Sequence, residues 1–366
     1  MAGHFSPNLP CGIDVWGAVI KKALHVSWLT ATLVFVLVLN GTAAFSASIT
    51  VQDSLGREVG VSLPVNRIVA LNSDTLEVLR TLKAEDLVVG VFSGINRESG
   101  FWGDLVRKPK VGSWQDPDME AIAALKPDLV IAYSRNPGPL LEQKMALFGI
   151  QVLRLDLYKT ETLGREVMVL GKLLKREKEA RLFCNWHRQH IEMIRRKIDG
   201  VLTRPAVYIE SYTDYHAAGP GSGGHEMCAL AGGRNIAAGL FIPYPHVTPE
   251  WVVSENPEVI IKAASCGNGY TLKDATPFNR RRDAILNRPA WRHITAVSTG
   301  NVHVMDSAIW TGPRAIIGIA YMARWIHPHL FTDLDPGALH RQYLENFQGV
   351  SYKGVYVSDF SRRCLP

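Results

Sequence analysis

Short runs of aliphatic and β-branched residues recur along this chain and alternate with amphipathic stretches from residue 47 onward. The runs predict strands at residues 67–71, 87–91, 128–133 and 151–156, and again at 206–210, 258–262 and 301–305. Helical stretches such as residues 75–82 and 121–125 separate the first group. Because buried strands that alternate with helices are typical of a parallel sheet covered on both faces, we expect an α/β fold with two such sheets.

The middle of the chain has a helical pattern instead. Apolar residues fall at helical spacing over residues 163–174, and residues 177–199 contain neither glycine nor proline. Phe183 and Ile194 lie on one apolar stripe of that second stretch. The pattern predicts a helix of about 23 residues, roughly 35 Å long. We expect it to be a rigid connection between two lobes; the alternative is a surface helix of a single domain.

These patterns divide the chain into four segments. Residues 1–46 form a leader, 47–158 an N-terminal α/β lobe, 159–200 a helical linker that includes the long helix, and 201–366 a C-terminal α/β lobe. The predicted fold class is therefore α/β, with two lobes that each hold a parallel sheet and are joined by a single long helix.

The leader has the features of a secretory signal peptide. Lys21 and Lys22 precede an uncharged apolar run at residues 26–39, and small residues with a possible cleavage site at 44–46 follow. A run of about 14 residues is shorter than the roughly 20 needed to span a bilayer. We expect export, with a mature chain that begins near Ala47. Translation from a later start, or an uncleaved anchor, are the alternatives.

Composition and charge exclude several classes of protein. The chain has 366 residues, 47% hydrophobic and 20% charged, which is typical of a globular protein. The net charge is +6, but its basic clusters at 172–176, 195–197 and 280–282 contain no interleaved aromatics, so we expect no nucleic-acid partner. Five cysteines without a CxxC pair indicate neither a disulfide scaffold nor a zinc ribbon. A Cys228–Cys266 bridge stays open.

Motifs of catalysis and of metal binding are incomplete. Residues 219–224 match GxGxxG, but they follow their strand by about nine residues and lack the acidic ribose partner. His225 and Glu226 begin an HExxH pattern in which Ala229 replaces the second histidine. We predict no catalytic residues, no cofactor and no bare metal ion. A metal site could be built only if the fold assembled Glu210, His216, His225 and Asp306; His187, His190 and His327 are expected to be helix-face or core histidines.

Polar and aromatic residues follow the predicted strands of both halves. Ligands of open α/β sheets bind at the carboxyl ends of the strands, so these residues predict a cleft between the lobes. Tyrosine and tryptophan offer flat apolar area with a polar tip, and arginine offers forked donors for an oxyanion, so we expect a bulky anionic ligand. The candidates are Asn72, Ser73, Trp114, Tyr133 and Arg135 in the first half, and Tyr212, Tyr215, His216, Tyr270, Trp310 and Arg314 in the second.

Four ordered motifs carry a family resemblance. They are VGSWQDPDME at residues 111–120 followed by AIAALKPDLVIA at 121–132, LAGGRNI at 230–236, YPHVTPEW at 244–251 and WTGPR at 310–314. The chain resembles the periplasmic substrate-binding proteins of bacterial ABC importers for iron complexes and cobalamin. That resemblance implies two Rossmann-like lobes joined by one long helix, a monomeric periplasmic protein, and no enzymatic activity.

The resemblance also implies roles for single residues. Glu120 and Glu250 match the exposed acidic residue that each lobe of the family presents to arginines of the membrane permease. Trp114 matches an aromatic residue that lines the cleft in cobalamin binders, and Arg314 matches a cleft-facing arginine. The alternative for the two glutamates is an ordinary acidic residue near a helix N-terminus, where the macrodipole favours it.

The implied function is capture of a metal chelate, such as a ferric siderophore, haem or a corrinoid, and its delivery to a permease with its ATPase. Cys228 matches one interlobe cysteine of the cobalamin binders, but residues 322–325 stand where its partner would be, which counts against cobalamin itself. Alternatives are a molybdate or tungstate binder of the same family, a two-lobed α/β metalloenzyme or chelatase, and a membrane-tethered sensor. Membrane contact is expected only through the permease or an uncleaved N-terminal segment.

Overall fold

Two four-stranded parallel sheets form the framework of the protein in a computed structural model, which describes residues 47–267 and 269–359. The predicted signal segment lies outside these residues. The strand order is β4-β3-β5-β6 in the first sheet and β10-β9-β7-β8 in the second, and β1 and β2 form an antiparallel hairpin. The strands are β1 (Ser48–Gln52), β2 (Glu58–Ser62), β3 (Ile68–Ala70), β4 (Val88–Val91), β5 (Leu129–Ala132), β6 (Gln151–Arg154), β7 (Ala206–Glu210), β8 (Arg234–Asn235), β9 (Val259–Ala264) and β10 (Val302–Asp306).

Helices cover both sheets and fill the stretch between them, and short 3-10 turns such as Gly312–Arg314 connect several elements. The α-helices of the described residues are α1 (Ser73–Thr81), α2 (Ser99–Trp102), α3 (Met119–Ala124), α4 (Leu140–Ala146), α5 (Thr160–Leu173), α6 (Glu177–Ile198), α7 (Gly223–Leu230), α8 (Pro249–Glu255), α9 (Thr276–Leu286), α10 (Thr295–Ser298), α11 (Ala315–Ile326) and α12 (Pro336–Asn346). Among residues 47–267 and 269–359, no helix is both long and apolar enough to cross a membrane.

Alternating side chains of each strand enter different cores, as the two-residue period of a strand requires. Leu129 and Ile131 of β5 belong to one large apolar cluster, while Val130 and Ala132 belong to a separate outer cluster. The second sheet contributes Ile261 to the same large cluster. The two sheets therefore share an inner core and each has an outer one, which confirms the predicted α/β class with both faces covered.

Helix α6 connects the halves of the molecule. It packs against α5, against α1 of the first half, and against α7 and α11 of the second. Phe183 and Ile194 on its apolar stripe are completely buried, and Ile198 is nearly so. The predicted long helix is confirmed, and it ends one residue before the predicted boundary because its C-cap is Asp199.

The C-terminal segment returns to the first half of the molecule, which the sequence patterns did not indicate. After α12, the amide of Gln348 donates to the backbone oxygen of Glu77 at 3.0 Å and to the hydroxyl of Thr81 at 2.9 Å. Tyr343 of α12 donates its hydroxyl to Glu77 at 2.6 Å. Helix α1 is thus held from one side by residues that lie more than 260 positions further along the chain.

Three cysteines of the described part of the chain are free thiols, namely Cys184, Cys228 and Cys266. Cys228 is buried in α7, whereas Cys266 is half-buried in the loop after β9. The open question of a Cys228–Cys266 bridge is therefore answered against it in this structure.

Candidate functional site

A cleft of about 510 Å³ lies where the loops after strands of both sheets meet. This position is the one expected for a ligand of parallel α/β sheets. Residues from both halves of the chain line it: Asn72, Ser73, Asp74, Glu77, Phe92, Glu98, Trp114 and Tyr133 from the first, and Tyr212, Ser265, Ser307, Ala308, Thr311 and Arg314 from the second. Six of the eleven residues predicted for the cleft are among them.

The N-terminal end of α1 forms one wall. Asn72 caps this helix, because its side-chain oxygen accepts from the backbone N–H of Thr75 at 2.9 Å. The polar residues that follow strand β3 are the reason why a helix begins there. Ser73 and Asp74 in the first turn therefore face the cleft rather than the core of the sheet.

Aromatic rings form a second wall. Trp114 and Tyr133 meet edge to face, with 5.8 Å between their ring centroids, and Tyr133 meets Tyr158 in the same way at 5.3 Å. Trp114 remains 37% exposed, and Tyr212 from the second half of the chain is 50% exposed. Their exposed ring area is available for a ligand, because both residues line the cleft and offer flat apolar surface with a polar tip.

Tyr133 and Asp74 form a hydrogen-bonded pair at the cleft wall. The phenol donates to the Asp74 carboxylate at 2.5 Å. Burial raises the pKa of Asp74 to about 7; the hydrogen bond from Tyr133 and the charge of Arg314 oppose that rise, while Glu77 adds to it. Burial and the charge of Asp74 raise the pKa of Tyr133 well above its ordinary value, so Tyr133 stays a neutral donor.

Arg314 lies at the floor of the cleft and is only 3% exposed. Its Nε donates to both carboxylate oxygens of Glu77, at 3.1 and 3.0 Å, and its Nη2 donates to Glu77 at 2.5 Å. Glu98 lies 3.7 Å from Nη2, and the guanidinium covers the ring of Phe101 at 4.6 Å. Burial opposes the charged form of Arg314, but Glu77 and Glu98 outweigh it and raise the pKa, so the group stays a cation.

The loop that carries Arg314 approaches α1 closely at a glycine. Gly312 has a φ of +76°, and a Cβ atom at this position would collide with the carboxylate of Asp74. Both conditions are met only by glycine without strain. The glycine of the WTGPR motif therefore allows this loop of the second half to lie directly against α1.

Two of the predicted cleft residues, Trp310 and Tyr270, are buried instead. Trp310 is completely covered and packs against Gly224 of α7. Tyr270 is 5% exposed, meets Phe101 edge to face at 5.6 Å, and donates to the backbone oxygen of Ser351 at 3.1 Å. Both residues therefore pack beneath the cleft and do not line it. The C-terminal segment covers Tyr270 and α7 covers Trp310, and the sequence pattern predicted neither contact.

The remaining three predicted residues also lie outside the cleft lining. Arg135 is exposed on the loop after β5. Tyr215 has a φ of +60° and packs against Trp291 at 5.9 Å, under the guanidinium of Arg288. His216 meets His246 edge to face at 5.1 Å. The turn after β7 directs these two rings toward the outer face of the second sheet.

The residues considered for a metal site are engaged separately. Glu210 is completely buried and accepts from Lys262 at 2.7 Å and from Arg288 at 2.8 Å. Burial raises its pKa, but these two cations outweigh the effect and lower it. His225 lies 3.0 Å from Asn235, and Asp306 caps the turn after β10. Within the part of the chain that the structure describes, no group of three potential metal ligands exists.

The three histidines expected in cores or on helix faces occupy such places. His187 is buried in α6, His190 bonds to the backbone oxygen of Trp186 in the same helix, and His327 bonds to that of Gly232. This expectation is confirmed.

Glu120 and Glu250 occupy matching positions in the two halves. Each is the second residue of a short helix, α3 or α8, and each is exposed. The preceding N-cap residues, Asp118 and Thr248, accept from the backbone N–H of the third helical residue in both cases. No ion pair joins either glutamate to another described residue. Both carboxylates are thus available for a partner.

Several lining residues were missed by the sequence reasoning. Glu77 lies within the helix predicted at 75–82 and Asp74 directly precedes it, so neither was predicted for the cleft, although a cap at Asn72 brings positions two and five residues later toward the ligand side. Ser265 and Ser307 each follow a strand directly, which was a usable signal. Glu98 has no local signal, because only the packing of α2 against Arg314 places it there.

A larger groove of about 690 Å³ lies elsewhere, between α5, α6 and α7. It is lined mainly by apolar side chains, among them Leu163, Met168 and Ile191. It lies along the connecting helices and not at the carboxyl ends of the strands, so we assign the functional site to the smaller and more polar cleft.

Comparison with known proteins identifies the family. The sequence pattern of the family described as periplasmic binding protein matches residues 68–309, which include both parallel sheets and all of the cleft lining except Thr311 and Arg314. The chain belongs to the periplasmic binding protein family. This result confirms the resemblance seen in the motifs, and the family is one of solute-binding proteins.

Relatives of this periplasmic binding protein differ in what they bind. A vitamin B12-binding protein of Photorhabdus laumondii is 26% identical over 197 residues, which cover 53% of this chain and 70% of the relative. The molybdate-binding protein MolA of Haemophilus influenzae is 25% identical over 338 residues, which cover 83% of this chain and 92% of the relative. The TroA-like periplasmic binding protein FepB of Veillonella parvula shares the fold with a TM-score of 0.72 at 19% identity, covering 86% of this chain and all of that one.

Proposed function

We propose that this periplasmic binding protein is the exported capture component of an ABC importer and that it holds a metal chelate in the cleft between its halves. The aromatic wall formed by Trp114, Tyr133 and Tyr212 carries the proposal, because a bulky ligand with flat apolar surface needs such a wall. The vitamin B12-binding relative supports it, since a corrinoid is a chelate of this kind.

The connections between the halves support a cleft that changes little in shape. Helix α6 packs on both halves, and the bond between Arg314 and Glu77 closes the floor. A preformed site loses less conformational entropy on binding than one that has to be assembled. In this proposal the ligand enters a cleft that already has its bound form.

The delivery step in this proposal uses Glu120 and Glu250. An exposed ion pair contributes only about 0.2–1 kcal/mol, which suits reversible docking on a permease better than permanent attachment. One such residue on each half would define the orientation of the whole protein on the membrane partner.

Equilibrium binding to the purified mature chain tests the proposal. The panel contains ferric siderophores, haem, corrinoids and molybdate, and we expect a chelate to bind with micromolar affinity or better, about −8 kcal/mol. If no member binds, the proposal is wrong. If molybdate alone binds, the MolA-like oxyanion function replaces it, and turnover of a bound tetrapyrrole would instead favour the metalloenzyme alternative.

A further inference from the structure

Carboxylates outnumber cations in the cleft. Asp74, Glu77 and Glu98 line it, and Arg314 is the one basic side chain among the described residues that do so. Burial raises the pKa of Asp74 to about 7 and also raises that of Glu98, so the described lining has its full net negative charge only above about pH 7. An oxyanion would meet repulsion here, and a cation would meet attraction.

The arginine is also occupied. Two of the three guanidinium nitrogens of Arg314 donate to Glu77, and Tyr343 donates to the same carboxylate at 2.6 Å. One face of the guanidinium covers Phe101 at 4.6 Å. An anionic ligand could reach Nη1, but a forked contact to Nε and Nη2 would require it to displace Glu77 from a buried pair, which makes a bidentate anion-binding role for Arg314 unfavourable.

The aromatic wall favours the same sign of ligand charge. The faces of tryptophan and tyrosine rings carry negative electrostatic potential, which attracts cations. Trp114 and Tyr212, from the first and second halves of the chain, are both partly exposed at the cleft. A cationic group in the cleft would meet both aromatic rings and carboxylates.

The side-chain nitrogen of Asn72 indicates that the ligand carries oxygen acceptors. Asn72 is 2% exposed and lines the cleft, yet its Nδ2 has no hydrogen-bond partner within residues 47–267 and 269–359. Its side-chain oxygen is fixed by the cap of α1, so the amide nitrogen keeps its orientation. A buried donor of this kind is costly unless an acceptor satisfies it.

We propose that the cleft selects cationic metal chelates with oxygen-rich surfaces over anionic ones, and that Asp74 and Glu98 set this preference. The inference rests on the proposed function, because it specifies the charge of the chelate that the cleft holds. It departs from the anionic ligand expected from the sequence, because the structure pairs the expected anion-binding arginine with Glu77.

A series of ferrioxamines that share one ferric core and differ in the charge of one end group tests the inference. Ferrioxamine B carries one free ammonium group, its N-acetyl derivative is neutral, and its N-succinyl derivative is an anion. At about pH 8 and low ionic strength, we expect affinity to fall in that order, with at least about tenfold between the first and the last. Equal affinities, or tightest binding of the anion, would overturn the inference while leaving the proposed function intact.

A single substitution tests whether the charge preference arises in the cleft. Glu98→Gln should lower the ratio of cation to anion affinity about tenfold, because it removes one negative charge beside Arg314. Glu85→Gln is the matched control, since Glu85 is exposed and lies outside the lining. An unchanged ratio in Glu98→Gln, or an equal change in the control, contradicts the assignment.

A second measurement separates failure of the inference from failure of the proposed function. If none of the ferrioxamines binds, thermal unfolding is followed with hexaamminecobalt(III) and with molybdate. Stabilisation by the cobalt complex that Glu98→Gln abolishes and Glu85→Gln retains supports charge selection, and the panel of chelates then decides the proposed function separately. Stabilisation by molybdate alone, or by neither ion, overturns charge selection.

Discussion

Arg314 and Glu77 form a buried, three-contact ion pair across 237 positions of sequence, with N–O distances of 3.1, 3.0 and 2.5 Å. The pair joins a loop of the second half to helix α1 of the first, directly at the floor of the cleft. Tyr343 donates to the same carboxylate, and Gln348 donates to the backbone oxygen of Glu77, so this one residue holds contacts from three parts of the chain. The arginine predicted to reach the ligand is therefore first of all a structural connection.

Removing one partner of this pair should destabilise the fold. We expect Arg314→Ala to lower the free energy of unfolding by about 3–5 kcal/mol, because Glu77 would keep a buried charge without a counter-ion. Denaturant unfolding measures the loss. The double variant Arg314→Met with Glu77→Gln should recover much of it, and a single variant that loses less than about 1 kcal/mol would contradict the structural role.

Trp114 should contribute directly to ligand affinity. Trp114→Ala removes an aromatic contact from the cleft wall, so we expect binding of the cognate chelate to weaken by about 1–3 kcal/mol. Isothermal titration calorimetry measures the change. Phe148→Ala, which removes an exposed aromatic ring on the same half outside the cleft, is the control. Similar affinities for both variants and the parent would place the ligand elsewhere.

The two matching glutamates should affect transport but not binding. Glu120→Ala combined with Glu250→Ala should leave ligand affinity unchanged, because neither residue lines the cleft, and should impair uptake by vesicles that contain the permease and its ATPase. Glu85→Ala combined with Glu255→Ala removes one exposed acid from each half as a control. Normal uptake by the first double variant would exclude the docking role.

The stability contribution of Asp74 should depend on pH in the direction opposite to that of an ordinary carboxylate. Burial raises the pKa of Asp74 to about 7 in the folded protein, so this carboxyl is protonated when folded and ionised when unfolded at about pH 5. Its favourable contribution is complete below its unfolded pKa and is lost as the pH rises through about 7.

Asp74→Asn imitates the protonated form and should therefore stabilise the protein relative to the parent at about pH 8 more than at about pH 5, by on the order of 2 kcal/mol. Urea unfolding at the two pH values measures the difference. Asp86→Asn, at an exposed position of the same half, should show no such change. A parent and an Asn variant with parallel pH profiles would refute the assignment.

The elements that the sequence predicted well are those with a local signal. The helical stretch at 75–82 predicted α1, and the absence of glycine and proline from 177 to 199 predicted α6. The hairpin of β1 and β2 was missed because its alternation is short and half-exposed. Trp310 was placed in the cleft on its position alone, and only the packing of α7 shows that it is buried.

The α/β class, the long connecting helix, the family and an aromatic cleft could all be predicted from the sequence, because periodicity, capping and ordered motifs are properties of neighbouring residues. The charge of that cleft depends instead on contacts between residues far apart in the chain. Glu77 and Glu98 meet Arg314 through contacts that span more than 200 positions, and no local pattern records which side chain neutralises which. Electrostatic balance is a sum over spatial neighbours, and spatial neighbours are chosen by the fold.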